Sequence, residues 1–195
     1  MEPKSSLTMY RWAPGMPFVP QLGGGKCFPQ VFCTSLGEIG SVKPRFTDDV
    51  IYAPSKTSLF QLVVLLDSLE DFDKTLEALQ NAKHHFSNDL GLDEATCIIT
   101  QPLQRSLGDP NKGWFSEGAV RVLFKDEFTP DILDNFPGSE GYDGHVLRRE
   151  IMGKYVVLRP DRFIFADCIG IKELGEASKA LTEMLHGKDG TPSKL

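Results

Sequence analysis

The chain predicts an α/β domain, and three observations carry that reading. Residues 155–158 and 163–166 are apolar, β-rich runs separated by Arg159-Pro160-Asp161-Arg162. Pro160 fixes φ and Asp161 can bond its own backbone, so these four residues spell a tight reversal between antiparallel strands. Leu174, Ala177, Leu181, Met184 and Leu185 then recur at three- and four-residue steps, giving a helix with one apolar stripe to lay on the hairpin. Residues 58–66, SLFQLVVLL, form an apolar run flanked by polar residues, as expected of a buried central strand. Strand, strand, helix after a central strand is the second half of a thioredoxin-like fold. The expected division is an extended arm and irregular segment over 1–56, the thioredoxin-like domain over 57–186, and a polar tail over 187–195.

In chain order, residues 1–25 are dense in Pro and Gly and keep no apolar period, which predicts an extended arm. Tyr10, Trp12, Met16 and Phe18 give it apolar contacts to make, on this domain or across to a second subunit. Gly23-Gly24-Gly25 is not a phosphate loop: no strand precedes it, Phe28-Pro29 follows where a helix would open, and no Gly-Lys-Ser/Thr is present. Short strands are expected at 30–34 and 50–52. After the central strand, Ser68-x-x-Asp71 reads as a capping-box variant, followed by a helical stripe of Leu69, Phe72, Leu76, Leu79 and Ala82 running to about His84. A strand is expected within 93–100 and another over 119–124, with an inserted loop over 101–116 between them. Thr129-Pro130 opens a short helix to Phe136.

Composition bounds the function. The 195 residues are 41% hydrophobic and 25% charged, suited to one domain with a sizeable core. The net charge is −6 and the nearest basic patch is Arg148, Arg149 and Lys154, too small to hold nucleic acid. No apolar run approaches membrane-spanning length, and no leader is legible. Cys27, Cys33, Cys97 and Cys168 form no Cys-x-x-Cys, so neither a zinc ribbon nor a redox dithiol is expected, and Cys97 and Cys168 read as buried structural thiols. His84-His85 lacks metal-ligand spacing; no metal or cofactor is expected. Ser193-Lys194-Leu195 at the carboxyl end is the address read by the peroxisomal import receptor, so the expected location is the peroxisome.

Gly144-His145, then Gly153, then VVLRPD, an aromatic-rich strand and a helix resemble the C-terminal thioredoxin-like domain of the phenol 2-monooxygenase family of FAD-dependent aromatic hydroxylases. In that family the stretch reads approximately GHxYxxYG, a glycine, then VVVRPDxYV; the family's tyrosine positions fall near Leu147 and Glu150, which do not match. The resemblance extends through SLFQLVVLL and, more faintly, through Pro14-Gly15-Met16-Pro17 to Gly25. It implies a domain that sits away from flavin and contributes to subunit association. The hydroxylases' flavin and substrate domains have no counterpart here, and Gly108-Asp109 matches nothing else of their flavin-contacting motif.

Disulfide exchange is not expected either. The place for a thiol at the start of the helix after the central strand holds Asp67-Ser68-Leu69-Glu70-Asp71, and Ile151-Met152-Gly153-Lys154 stands where a proline normally precedes the hairpin. Two readings remain. One is a dimeric, non-redox accessory or interaction module, as a homodimer or beside a flavin monooxygenase partner. The other is a cofactor-independent isomerase, cyclase or dehydratase acting on a small aromatic or polyketide-like ligand, with His145 as general base and Asp143 and Tyr142 as its neighbours. Against the base stands the plainer role of a hydrogen-bonded structural histidine. Arg159 and Asp161 read as turn and ion-pair residues.

Overall fold

The computed structural model describes residues 18–36, 44–102, 119–128 and 141–186. The sheet is built outward from β3 (Gln61–Leu66), all six of whose residues are buried. Leu62, Val64 and Leu66 point into one core and Val63 and Leu65 into the other, so the uninterrupted apolar run is the alternation of a strand covered on both faces. β4 (Thr96–Ile99) pairs with it in parallel and β6 (Tyr155–Leu158) antiparallel. β7 (Ile164–Cys168) returns beside β6 with a register shift at Val157/Leu158. On the other side β5 (Ala119–Val122) runs parallel to β4, and β1 (Phe32–Ser35) and β2 (Arg45–Phe46) follow antiparallel. The order is β2-β1-β5-β4-β3-β6-β7. It is a mixed α/β sheet whose β4-β3-β6-β7 side is thioredoxin-like.

Two helices cover the first face. α2 (Asp71–Ala82) contributes Phe72 and Leu79, and α4 (Ile171–His186) contributes Leu174, Ala177 and Leu181. Phe60 and Phe165 meet beneath them edge to face, with centroids 5.4 Å apart. The opposite face is closed by α1 (Thr47–Ile51), α3 (Val146–Glu150) and the segment around Phe28 and Val31, through Val50, Ile51, Leu147 and Ile151. Among the described residues no helix is long and apolar enough to cross a membrane.

Several expectations change. The segment preceding residue 57 supplies β1, β2 and α1 and is part of the sheet and core. Residues 50–52, expected as strand, end a helix instead: Phe46 N–H bonds the Asp49 carboxylate at 3.1 Å, Tyr52 N–H closes on Asp48 O, and Val50 and Ile51 both turn inward. Ser68 does not cap α2, whose first flanking residue is Glu70; its hydroxyl lies 3.3 Å from the Asp71 carboxylate. Leu92–Glu94 is a 3₁₀ turn ahead of β4. Tyr10, Trp12 and Met16, residues 103–116 of the inserted loop, the 129–136 helix and the 187–195 tail with Ser193-Lys194-Leu195 lie outside the described residues.

The glycine run has a packing reason. Residues 19–28 lie along β7, with Val19 N–H on Phe165 O at 2.8 Å, Gly25 N–H on Ile164 O at 2.9 Å and Ile164 N–H on Lys26 O at 2.7 Å. Gly23 and Gly25 take positive φ of 68° and 102°, and a Cβ on Gly24 would overlap the Phe165 carbonyl.

Entry into β3 is fixed by Glu94, whose carboxylate accepts from Thr57 N–H at 2.9 Å, the Thr57 hydroxyl at 2.7 Å and Ser58 N–H at 2.8 Å. These donors, the Thr57 hydroxyl foremost, lower its pKa from 4.5 to about 2. A depressed folded value means the stabilisation is complete above pH 4.5 and is lost as pH falls towards 2. In urea titrations across that window, Glu94→Gln should lose less stability with acid than the parent chain; superimposable pH profiles would refute the clamp.

Candidate functional site

The site is built where β3 stops. Beyond Leu66 the chain leaves the sheet through Asp67 and enters α2 at Asp71, so the carbonyls at the strand end need partners from elsewhere. Arg148 supplies them. From α3 its guanidinium reaches across the sheet end: Nη2 donates to Leu65 O at 3.0 Å, Nη1 to Gly153 O at 3.2 Å, and Nε lies 2.8 Å from Asp67 Oδ1 and 3.0 Å from Thr100 Oγ1. Thr100 in turn donates its hydroxyl to Leu66 O at 3.0 Å. One planar cation therefore ties together the ends of β3 and β4, the approach to β6, and α3.

The loop opposite is held just as closely. Asp167 of β7 accepts from Gly153 N–H at 2.8 Å and Met152 N–H at 3.2 Å, while burial raises its pKa. A Cβ on Gly153 would overlap that carboxylate and lie 2.6 Å from Cys168 O, so only glycine fits. Between this loop and α2 lies a cleft of about 180 Å³ bounded by Asp67, Asp71, Arg148, Met152, Lys154 and Ile169. Met152 and Ile169, 78% and 69% exposed, form its two apolar lips.

This is where a thioredoxin-like fold would carry a reactive thiol, and the described residues put none there. Cys33, Cys97 and Cys168 are buried, and burial pushes their thiols up to about 12, 11 and 12. All four cysteines are free, and Cys27, the exposed one, bridges to Phe163 at the other end of β7.

Tyr142, Asp143 and His145 sit together on the turn into α3, but not as a base and its carboxylate. Asp143 Oδ1 accepts the backbone N–H of His145 at 2.9 Å, and Oδ2 is paired with Arg149. These two partners, the backbone bond first, lower the Asp143 pKa. The His145 imidazole is exposed and lies against Phe124, centroids 4.7 Å apart. The Tyr142 hydroxyl donates to Leu123 O at 2.6 Å, and its ring stacks on Phe128 and tilts against Phe32, which stacks on Phe46. Burial raises the phenol. Arg159 and Asp161 pair at 2.5 Å within the hairpin turn. The His84 and His85 rings face each other at 3.8 Å, and among the described residues no group of three His, Cys, Asp or Glu could hold a metal.

Sequence reasoning named Arg148 as part of a small basic patch; its role comes from α3 crossing the end of β3, which no local spacing announces. Asp167 was not singled out, although its position four residues after Phe163 on an apolar strand marks a polar side chain that needs a partner. No protein-family model, curated protein or solved structure matches the chain.

Because Arg148 is 28% exposed and Asp67 57%, the carbonyl bonds should dominate the energetics. Arg148→Met should cost about 2 kcal/mol in chemical denaturation, by leaving the Leu65 and Gly153 carbonyls unpaired. Asp67→Asn should cost less than about 1 kcal/mol. Equal losses would show that the ion pair, not the carbonyl clamp, is the working part.

Proposed function

We propose that this chain is a non-redox, thioredoxin-like interaction module, related to the terminal association domain of the flavin aromatic hydroxylases and acting as a homodimer. The observation that carries it is the Arg148 clamp. The guanidinium pairs with Asp67, at the start of the segment where the fold would hold a thiol, and its donors are spent on the protein's own carbonyls and carboxylate. A group so committed holds shape and does not turn over substrate. The geometry around His145 adds to this, since the Asp143 carboxylate serves the turn and Arg149 instead of the imidazole.

The proposed contact face is the lip of the cleft. Met152 and Ile169 are large apolar side chains exposed at the edges of one cleft on a rigid frame, the form an interface anchor takes. In a two-fold dimer each pair would meet its own copy. The chain's net charge of −6 is the same on both copies, so like charges oppose the approach and salt should favour it.

Sedimentation velocity from about 1 to 100 µM should show a monomer–dimer equilibrium that tightens as salt rises from about 50 to 500 mM. Met152→Glu/Ile169→Glu should abolish it while leaving thermal unfolding intact. A monomer throughout would sink the module reading; a dimer indifferent to the double substitution would place the contact elsewhere. The proposed setting is the peroxisome, supported by Ser193-Lys194-Leu195. An amino-terminally fluorescent chain should appear in peroxisomes and turn cytosolic on removal of Leu195; a diffuse parent fusion would rule that setting out.

A further inference from the structure

We propose that Lys56 is a reactive amine through which this chain takes up small neutral aldehydes as an imine. It lies at the far end of β3 from the Arg148 clamp, and the proposal does not depend on the interaction reading. A turn closed by Lys56 N–H on Ala53 O at 2.9 Å delivers the side chain to the start of β4, where it is half-buried. There Nζ donates to Thr96 Oγ1, on a residue with no exposed surface.

What surrounds the amine is the argument. An ammonium has three donors and is most stable beside a carboxylate or in water. The acidic groups facing Lys56 are Glu94, on the turn before β4, and the Cys97 thiol on β4 itself. Glu94 is saturated by the Thr57 and Ser58 donors, and no ion pair joins it to Lys56. Cys97 is buried and held protonated. Among the described residues, then, the ammonium rests on one neutral hydroxyl. Burial lowers its pKa from 10.5 to about 8, against the opposing pull of Glu94. Lys74 and Lys179, by contrast, are exposed on α2 and α4.

A desolvated lysine with an available lone pair is the arrangement that forms Schiff bases. The amine nitrogen attacks the aldehyde carbon, forming a C–N bond and a carbinolamine. Loss of its hydroxyl with a nitrogen proton, as water, leaves the C=N double bond, with no change of oxidation state. The ionised Glu94 beside the amine and the chain's net charge of −6 select against anionic carbonyl compounds, and half-burial selects for small ones.

The test is an internal competition that needs no substitution. The full chain is treated at pH 7 with propanal at less than one equivalent per lysine, imines are trapped with cyanoborohydride, and propylated lysines are located by peptide mass mapping. Lys56 should be modified about tenfold faster than Lys74 and Lys179, because more of it is unprotonated at that pH. Its rate should level off above about pH 8 while theirs keep rising. The preference should vanish in concentrated urea. Equal rates in the folded chain would overturn the proposal, and so would a preference that survives unfolding, since local sequence rather than the fold would then be responsible.

Discussion

Everything in this molecule answers to the burial of β3 on both faces. Six consecutive residues without exposure require a covering layer above and below, and neither can be omitted without returning Leu62, Val64 and Leu66, or Val63 and Leu65, to water. α2 and α4 meet the first requirement. The second is met piecemeal, by α1, α3 and the 28–31 segment, which is why residues ahead of the central strand are integral to the fold. The same strand creates the site. Once it ends inside a covered sheet its last carbonyls still need donors: Arg148 reaches Leu65 O and Thr100 reaches Leu66 O.

Acidic residues where the fold would hold a thiol change what the position can do. The start of a helix after a parallel strand is electropositive and would favour an anion. Here Asp67, Glu70 and Asp71 already occupy it, and the guanidinium balances the nearest of them. A site neutralised from within has little field left to activate a nucleophile. What it presents outward is shape: a shallow cleft with Met152 and Ile169 standing at its edges.

The centre of the fold was legible because burial on both faces, a Pro-Asp reversal and a helical stripe leave marks within a few residues of themselves. Residues 155–158 form β6 to the residue, and the stripe from Leu174 to Leu185 lies on α4. The margins were less legible for the same reason. Val50 and Ile51 are β-branched and read as strand, yet a single turn of helix is imposed on them by Asp49 and by what they must cover. Tyr142, Asp143 and His145 are near neighbours in the chain, but the partner of each is decided by tertiary approach: Leu123 O for the phenol, Arg149 for the carboxylate, Phe124 for the imidazole. Lys56 is the sharpest case, an ordinary lysine in sequence whose surroundings are assembled from Thr96 and Glu94, some forty residues on.

The backbone of residues 19–28 along β7 has a consequence for assembly. An open β-edge is a template on which a foreign strand can be added, and the commonest start of runaway aggregation. Here the chain spends its own Val19, Gly25, Lys26 and Phe28 on that edge, and the opposite margin is the two-residue β2. Glycines that let the backbone come so near also leave no side chain to prise it away. Strand addition is thereby obstructed at Ile164 and Phe165 of β7.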